Sequence, residues 1–113
     1  MIRVGAIFGF LGVALGAFGA HGLRDRLAPQ MFDAYRTGVL YHLLHAVALV
    51  AVGAAAERLA RPRAVATLFA AGIVIFSGSL YAYAVTGTGA FGAVAPVGGL
   101  LLMAGWVTLA INR

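Results

Sequence analysis

The stretch "TGVLYHLLHAVALVAVGAAAE", Thr37 to Glu57, decides the fold. It is long and apolar enough for a membrane-spanning helix, yet it carries His42 and His45 inside its run. A bilayer core of about 30 Å needs roughly 20 apolar residues in a helix. Three further runs without a charge match that length: Val4 to Ala20, Ala64 to Val85 and Thr86 to Asn112. The composition agrees, with 63% hydrophobic and only 10% charged residues in 113 and a mean hydropathy of +1.00, against about 25% charged in soluble domains. A soluble domain this small buries only about 60 to 70% of the surface its unfolded chain exposes. The apolar excess must therefore face lipid.

The charges mark membrane edges. Eight basic residues stand against three acids, and Arg3, Arg24, Arg26, Arg36, Arg58, Arg61, Arg63 and Arg113 all lie outside the apolar runs. This distribution argues for a lipid partner and against nucleic acid. Five of the arginines fall on the side of the two termini and the loop "ERLARPR", and three flank the loop after the first run. Arginine bias thus places both termini in the cytoplasm. The first run, "MIRVGAIFGFLGVALGAFGA", has the charged start of a signal peptide, but it exceeds the usual apolar core of about 7 to 15 residues and reads as a retained helix.

The expected fold is all-α, a four-helix up-down-up-down transmembrane bundle in one domain, with helices over about 3–21, 30–58, 63–86 and 93–112. In "TGTGAFGAVAP" the glycines break the helical pattern, so a tight turn is placed near Thr86 to Gly89, with the fourth helix starting before or at Pro96. An earlier start would make Pro96 a kink. Before the second helix, Pro29 can open a short amphipathic surface extension presenting Met31, Phe32 and Tyr35, with Gly38 as its bend.

Gly5, Gly9, Gly12, Gly16 and Gly19 alternate steps of four and three along the first helix. Small residues at a 3.5-residue period form a seam that lets another backbone approach closely in a left-handed crossing. The favoured partner is a helix of the same chain; the alternative is a second copy or a larger membrane complex.

The polar residues gather toward one membrane surface. With a rise of 1.5 Å per residue, and entry near Thr37, His42 lies about 8 Å deep and His45 about 12 Å. Ser79 and Ser77 reach about 9 and 12 Å from the same surface, with Tyr81 slightly shallower. His21 and Tyr41 complete the candidate cluster. The other half, Val47 to Ala56 and Val65 to Ile75, is almost wholly apolar. Polar groups in hydrocarbon need partners and turn to the bundle interior. One reading makes the cluster interhelical hydrogen bonds that fix packing, worth about 0.6 kcal/mol each on average. The sharper reading is a pocket for a small molecule, proton or ion, open to the non-cytoplasmic face.

No cofactor is expected. Cysteine is absent, which excludes thiolate metal sites. Histidines three apart with no acid placed beside them are weak metal evidence, and no deep histidine on another helix offers a second haem ligand. The serines of "FSGSLY" lack a nucleophile elbow, and "GTGAFG" follows no strand. The acids Asp25, Asp33 and Glu57 all sit at membrane edges. No catalytic constellation emerges, so the reading is non-enzymatic.

Four ordered motifs carry a resemblance: "GAFGAHGL", "TGVLYHLLHAVAL", "FSGSLY" and "PVGGLLLMAGW". In order and spacing they resemble the YgdD-like membrane proteins, domain of unknown function 423, over nearly the whole chain. The resemblance implies a small multi-pass protein of the bacterial plasma (inner) membrane, and it brings no activity with it. Its motifs include His21, His45, Ser77, Ser79, Tyr81 and Pro96. His42 occupies a position where a relative can carry Gln, which replaces hydrogen bonding better than metal ligation.

The glycine seam gives a direct test. Gly12→Cys should crosslink to a cysteine placed on another helix of the same chain, and crosslinks formed exclusively between chains would overturn the intramolecular reading.

Overall fold

The computed structural model describes residues 1–111; the expected end of the last helix at Asn112 lies outside them. Four helices are long and apolar enough to cross a membrane: α1 (Ile2–Leu23), α2 (Pro29–Ala54), α3 (Pro62–Thr86) and α4 (Gly89–Ala110). Local chemistry sets their ends. Pro29 and Pro62 occupy the first turns of α2 and α3, where a missing N–H costs no helical bond. Ala28, before Pro29, is extended as that position requires. At the end of α3, Gly87 takes a left-handed φ of +70° and its N–H caps the Tyr83 carbonyl at 2.8 Å. That conformation favours glycine. Thr88 then leads directly into α4, which starts at Gly89, ahead of the expected residue 93, so Pro96 lies inside the helix. Its missing N–H leaves the Gly92 carbonyl without its usual helical donor.

Two turns are widened to π geometry: Gly19–Leu23 at the end of α1 and Ile73–Ser77 in the middle of α3. Gly38 lies inside the unbroken α2, so the segment from Pro29 continues the spanning helix directly. Tyr35, expected on the membrane surface, is buried at 2% exposure.

Packing follows chain order: α1 on α2, α2 on α3, α3 on α4. Glycines set the register. A Cβ on Gly5 would lie 2.8 Å from the Val50 amide nitrogen, one on Gly12 2.6 Å from Leu43, and one on Gly19 2.3 Å from the Tyr35 ring. Gly53 of α2 meets Ile2 in the same way. Positions rising along α1 thus meet positions falling along α2, so the two helices run antiparallel. Gly9 and Gly16, between the tight points, have more room, at 3.9 Å from Ala46 and 3.2 Å from Val39. Between α3 and α4, Gly72 faces Leu102, Gly105 faces Phe69 and Gly98 faces Phe76. The last pair is the closest, since a Cβ on Gly98 would lie 2.2 Å from the Phe76 amide nitrogen.

Leu49, Val52, Val65, Phe69, Ile73 and Leu102 form the apolar core between α2, α3 and α4. The outward faces of α1 and α4 carry exposed large apolar residues such as Phe10, Val13, Leu100 and Met103. Lipid tails satisfy such faces as well as leucine would, so close van der Waals fit has to hold the helices together.

Two glycine substitutions separate contact from propensity. Gly98→Val should destabilise the folded chain in detergent by about 1–3 kcal/mol or more, as overpacking does. Gly78→Ala should stay within about 0.5 kcal/mol of the parent, because nothing lies within 4 Å of a Cβ there. Chemical unfolding followed by helicity would measure both, and equal effects would refute the packing assignment.

Candidate functional site

Four glycine slots on α1, α2 and α4 each admit an aromatic or imidazole ring from a neighbouring helix. Gly12 leaves room for His42, whose Cδ2 would lie 3.2 Å from an added Cβ. Gly19 admits Tyr35, Gly38 admits Tyr81 and Gly105 admits Phe69. Brought this close, the polar tips reach partners on the next helix.

His42 is buried on α2, between α1 and α3. Its Nε2 lies 2.8 Å from the Phe8 carbonyl oxygen and its Nδ1 2.8 Å from the Tyr81 hydroxyl. A carbonyl can only accept, so the partners assign the proton to Nε2, and Nδ1 accepts from Tyr81. His45, one helical turn deeper, has the opposite tautomer. Its Nδ1 donates to the Tyr41 carbonyl of its own helix at 2.8 Å, and its Nε2 accepts the Trp106 indole N–H from α4 at 2.9 Å. Both rings thus have both nitrogens engaged.

Two further hydroxyls bond to backbone across helices. Ser77, within the π turn of α3, donates to the Gly38 carbonyl at 2.7 Å. Tyr35 donates to the Leu15 carbonyl of α1. Rings enclose the whole group. Phe8 meets His42 edge-on, Phe69 and Trp106 meet His45 edge-on, and Tyr41 stacks parallel to His45.

Of the seven cluster residues named from sequence, the structure joins His42 with Tyr81, His45 with Tyr41, and Ser77 with the α2 backbone. His21 is exposed at the end of α1, and no hydrogen bond or ring contact among the described residues ties it to this group. Ser79 is buried at 8% exposure, and its hydroxyl has no hydrogen-bond partner among the described residues. No group of three or more His, Cys, Asp or Glu side chains comes together among the described residues.

Trp106 and Tyr35 are the members that sequence reasoning missed. The signal for Trp106 was its indole N–H, a donor on an apolar helix whose ring is half exposed yet finds no acceptor in hydrocarbon outside the chain. Depth concealed it. Counted from the true helix starts at Pro29 and Gly89, His45 and Trp106 lie about 24 and 26 Å along α2 and α4. With α4 begun later and α2 entering at Thr37, the two fall at different levels. Tyr35 was obscured by its place near an arginine-flanked loop.

Beside His42 and Tyr81, a groove of about 380 Å³ opens between α1 and α3, with Leu11, Val74 and Gly78 on its walls. The ring nitrogens behind it are already paired, so the groove presents an apolar surface.

Comparison with known proteins places this arrangement in a family. Residues 15–99 match the family described as "Protein of unknown function (DUF423)". The chain is 42% identical to the UPF0382 membrane protein YwdK of Bacillus subtilis, covering 97% of this chain and 92% of that one. It is 40% identical to a UPF0382 membrane protein of Haemophilus influenzae, over 93% and 86%, and 35% identical to the UPF0382 inner membrane protein YgdD of Escherichia coli, over 99% and 87%. No solved structure matches. With the family match covering most of its length and these relatives covering nearly all of it, the chain belongs to the DUF423 family of membrane proteins.

Proposed function

We propose that this chain is a non-enzymatic structural or accessory protein of the bacterial inner membrane, with both termini in the cytoplasm. In this reading the His42 and His45 network locks three helix interfaces, and the outer faces of α1 and α4 meet lipid, a second copy or a larger membrane complex. One observation carries it: both imidazoles have both nitrogens taken by protein partners. A metal ligand needs a free nitrogen lone pair, and an acid–base group needs a nitrogen facing its substrate. Neither is left over here. The chain from Tyr81 through His42 ends on a backbone carbonyl, which gives a proton nowhere to go. Ion or small-molecule transport, the alternative, calls for polar groups free to meet a cargo, and the acids Asp25, Asp33 and Glu57 lie outside or at the ends of the spans.

Thermal melting in detergent tests the lock. His45→Ala and Trp106→Phe should each lower stability, and the double variant should lose less than the sum. The coupling should be about 0.6 kcal/mol, with about 1.7 as a ceiling. Metal analysis and an absorption spectrum belong beside it. A stoichiometric metal or chromophore in the parent, lost in His45→Ala with the melting curve unchanged, would replace the lock with a binding site.

A further inference from the structure

Away from the histidines, where α1 hands over to α2, a second groove of about 270 Å³ runs between the two helices. Gly16 and Ala20 keep one wall low, and Val39 and Leu43 form the other. Tyr35 also lines it, but its hydroxyl is spent on the Leu15 carbonyl. The groove is smaller than the roughly 300–1,000 Å³ of pockets for compact small molecules, so a slim chain fits better. All its residues belong to spanning helices. Its walls of Gly16, Ala20, Val39 and Leu43 suit hydrocarbon.

Its mouth is charged. Arg36 lies there with its guanidinium 5.9 Å from the centre of the Phe32 ring. Arg36 also borders an adjoining hollow of about 350 Å³ with Asp33 and Thr37. Asp33 and Arg36 are both exposed, and among the described residues they form no ion pair with each other. The Thr37 hydroxyl is occupied, donating to the Asp33 carbonyl at 3.0 Å. An apolar groove thus opens onto a cation and an anion side by side, neither of them in an ion pair among the described residues. A guanidinium suits phosphate. A carboxylate suits an ammonium that can donate hydrogen bonds.

From this juxtaposition we infer that the α1–α2 groove binds a phospholipid whose headgroup carries a phosphate and a primary ammonium. One acyl chain lies along Gly16, Ala20, Val39 and Leu43, with the phosphate on Arg36 and the ammonium on Asp33. An anionic lipid would meet the same arginine but also the repelling Asp33. A choline headgroup would bring a cation without N–H donors.

The test is native mass spectrometry of the full chain released from detergent with dioleoyl phosphatidylethanolamine, phosphatidylcholine or phosphatidylglycerol. One charge contact near the membrane surface corresponds to about a five-fold change in retention. The parent should retain the ethanolamine lipid about five-fold over each of the others. Asp33→Asn should remove that preference while Asp33→Glu keeps it, and Arg36→Gln should weaken retention of all three. Gly16→Leu, which fills the groove, should do the same; because it could also disturb packing, the exposed Asp33 and Arg36 variants decide, with helicity confirming their fold. Glycerophosphoethanolamine, the headgroup without chains, should not bind. Equal retention of the three lipids, a preference for phosphatidylglycerol, an unchanged Asp33→Asn, or displacement of the lipid by glycerophosphoethanolamine would each overturn the assignment.

Discussion

Hydrocarbon offers no water to a buried imidazole, phenol or indole, so each such group here must find its partner within the chain. The cost of an unsatisfied polar group in the membrane interior is several kcal/mol, far above what a single interhelical hydrogen bond returns. The structure meets this constraint largely with backbone. Phe8, Leu15, Gly38 and Tyr41 contribute carbonyl oxygens, each of which has a second lone pair beyond the one used in its own helix. Reaching a neighbouring helix's carbonyl demands that the helices nearly touch. Glycine makes that approach sterically open.

The polar residues and the glycines are therefore one device. Gly5, Gly12 and Gly19 repeat at the interval that separates Tyr35 from His42, and the carbonyls of Phe8 and Leu15 repeat at the same interval. This common spacing of seven keeps the contacts in line along one face of each helix. Adding one methyl at Gly12 would disturb Leu43 and the approach of His42 to Phe8 together. Packing and hydrogen bonding cannot be altered separately along this interface.

Opposite tautomers on neighbouring turns follow from which ring nitrogen meets a carbonyl. At His42 it is Nε2, turned toward α1; at His45 it is Nδ1, turned back along α2. One ring thereby joins α1 to α3, and the other joins α2 to α4 through Trp106. Since the helices otherwise pack in chain order, the His45 to Trp106 bond ties α4 across to α2. The two histidines distribute their reach over all four helices from a single face of one.

Composition and the lengths of the apolar runs determined by themselves that the chain crosses a membrane as helices, because hydrocarbon thickness and backbone hydrogen bonding admit few other solutions. The glycine period on α1 was equally legible, as was the need of His42 and His45 for partners, since both are local properties of spacing and polarity. The identity of those partners was decided only by tertiary structure. Trp106 lies 61 positions from His45 in the chain, and its level depends on where α4 begins; the glycines placed the turn at Gly87 and Thr88, but whether the helix started directly after it or nearer Pro96 stayed open. Tyr35 became interior because Gly19 of α1 has no side chain where its ring lies. A sequence shows which groups must be satisfied; the relative rise and rotation of helices, a balance of many small contacts, selects what satisfies them.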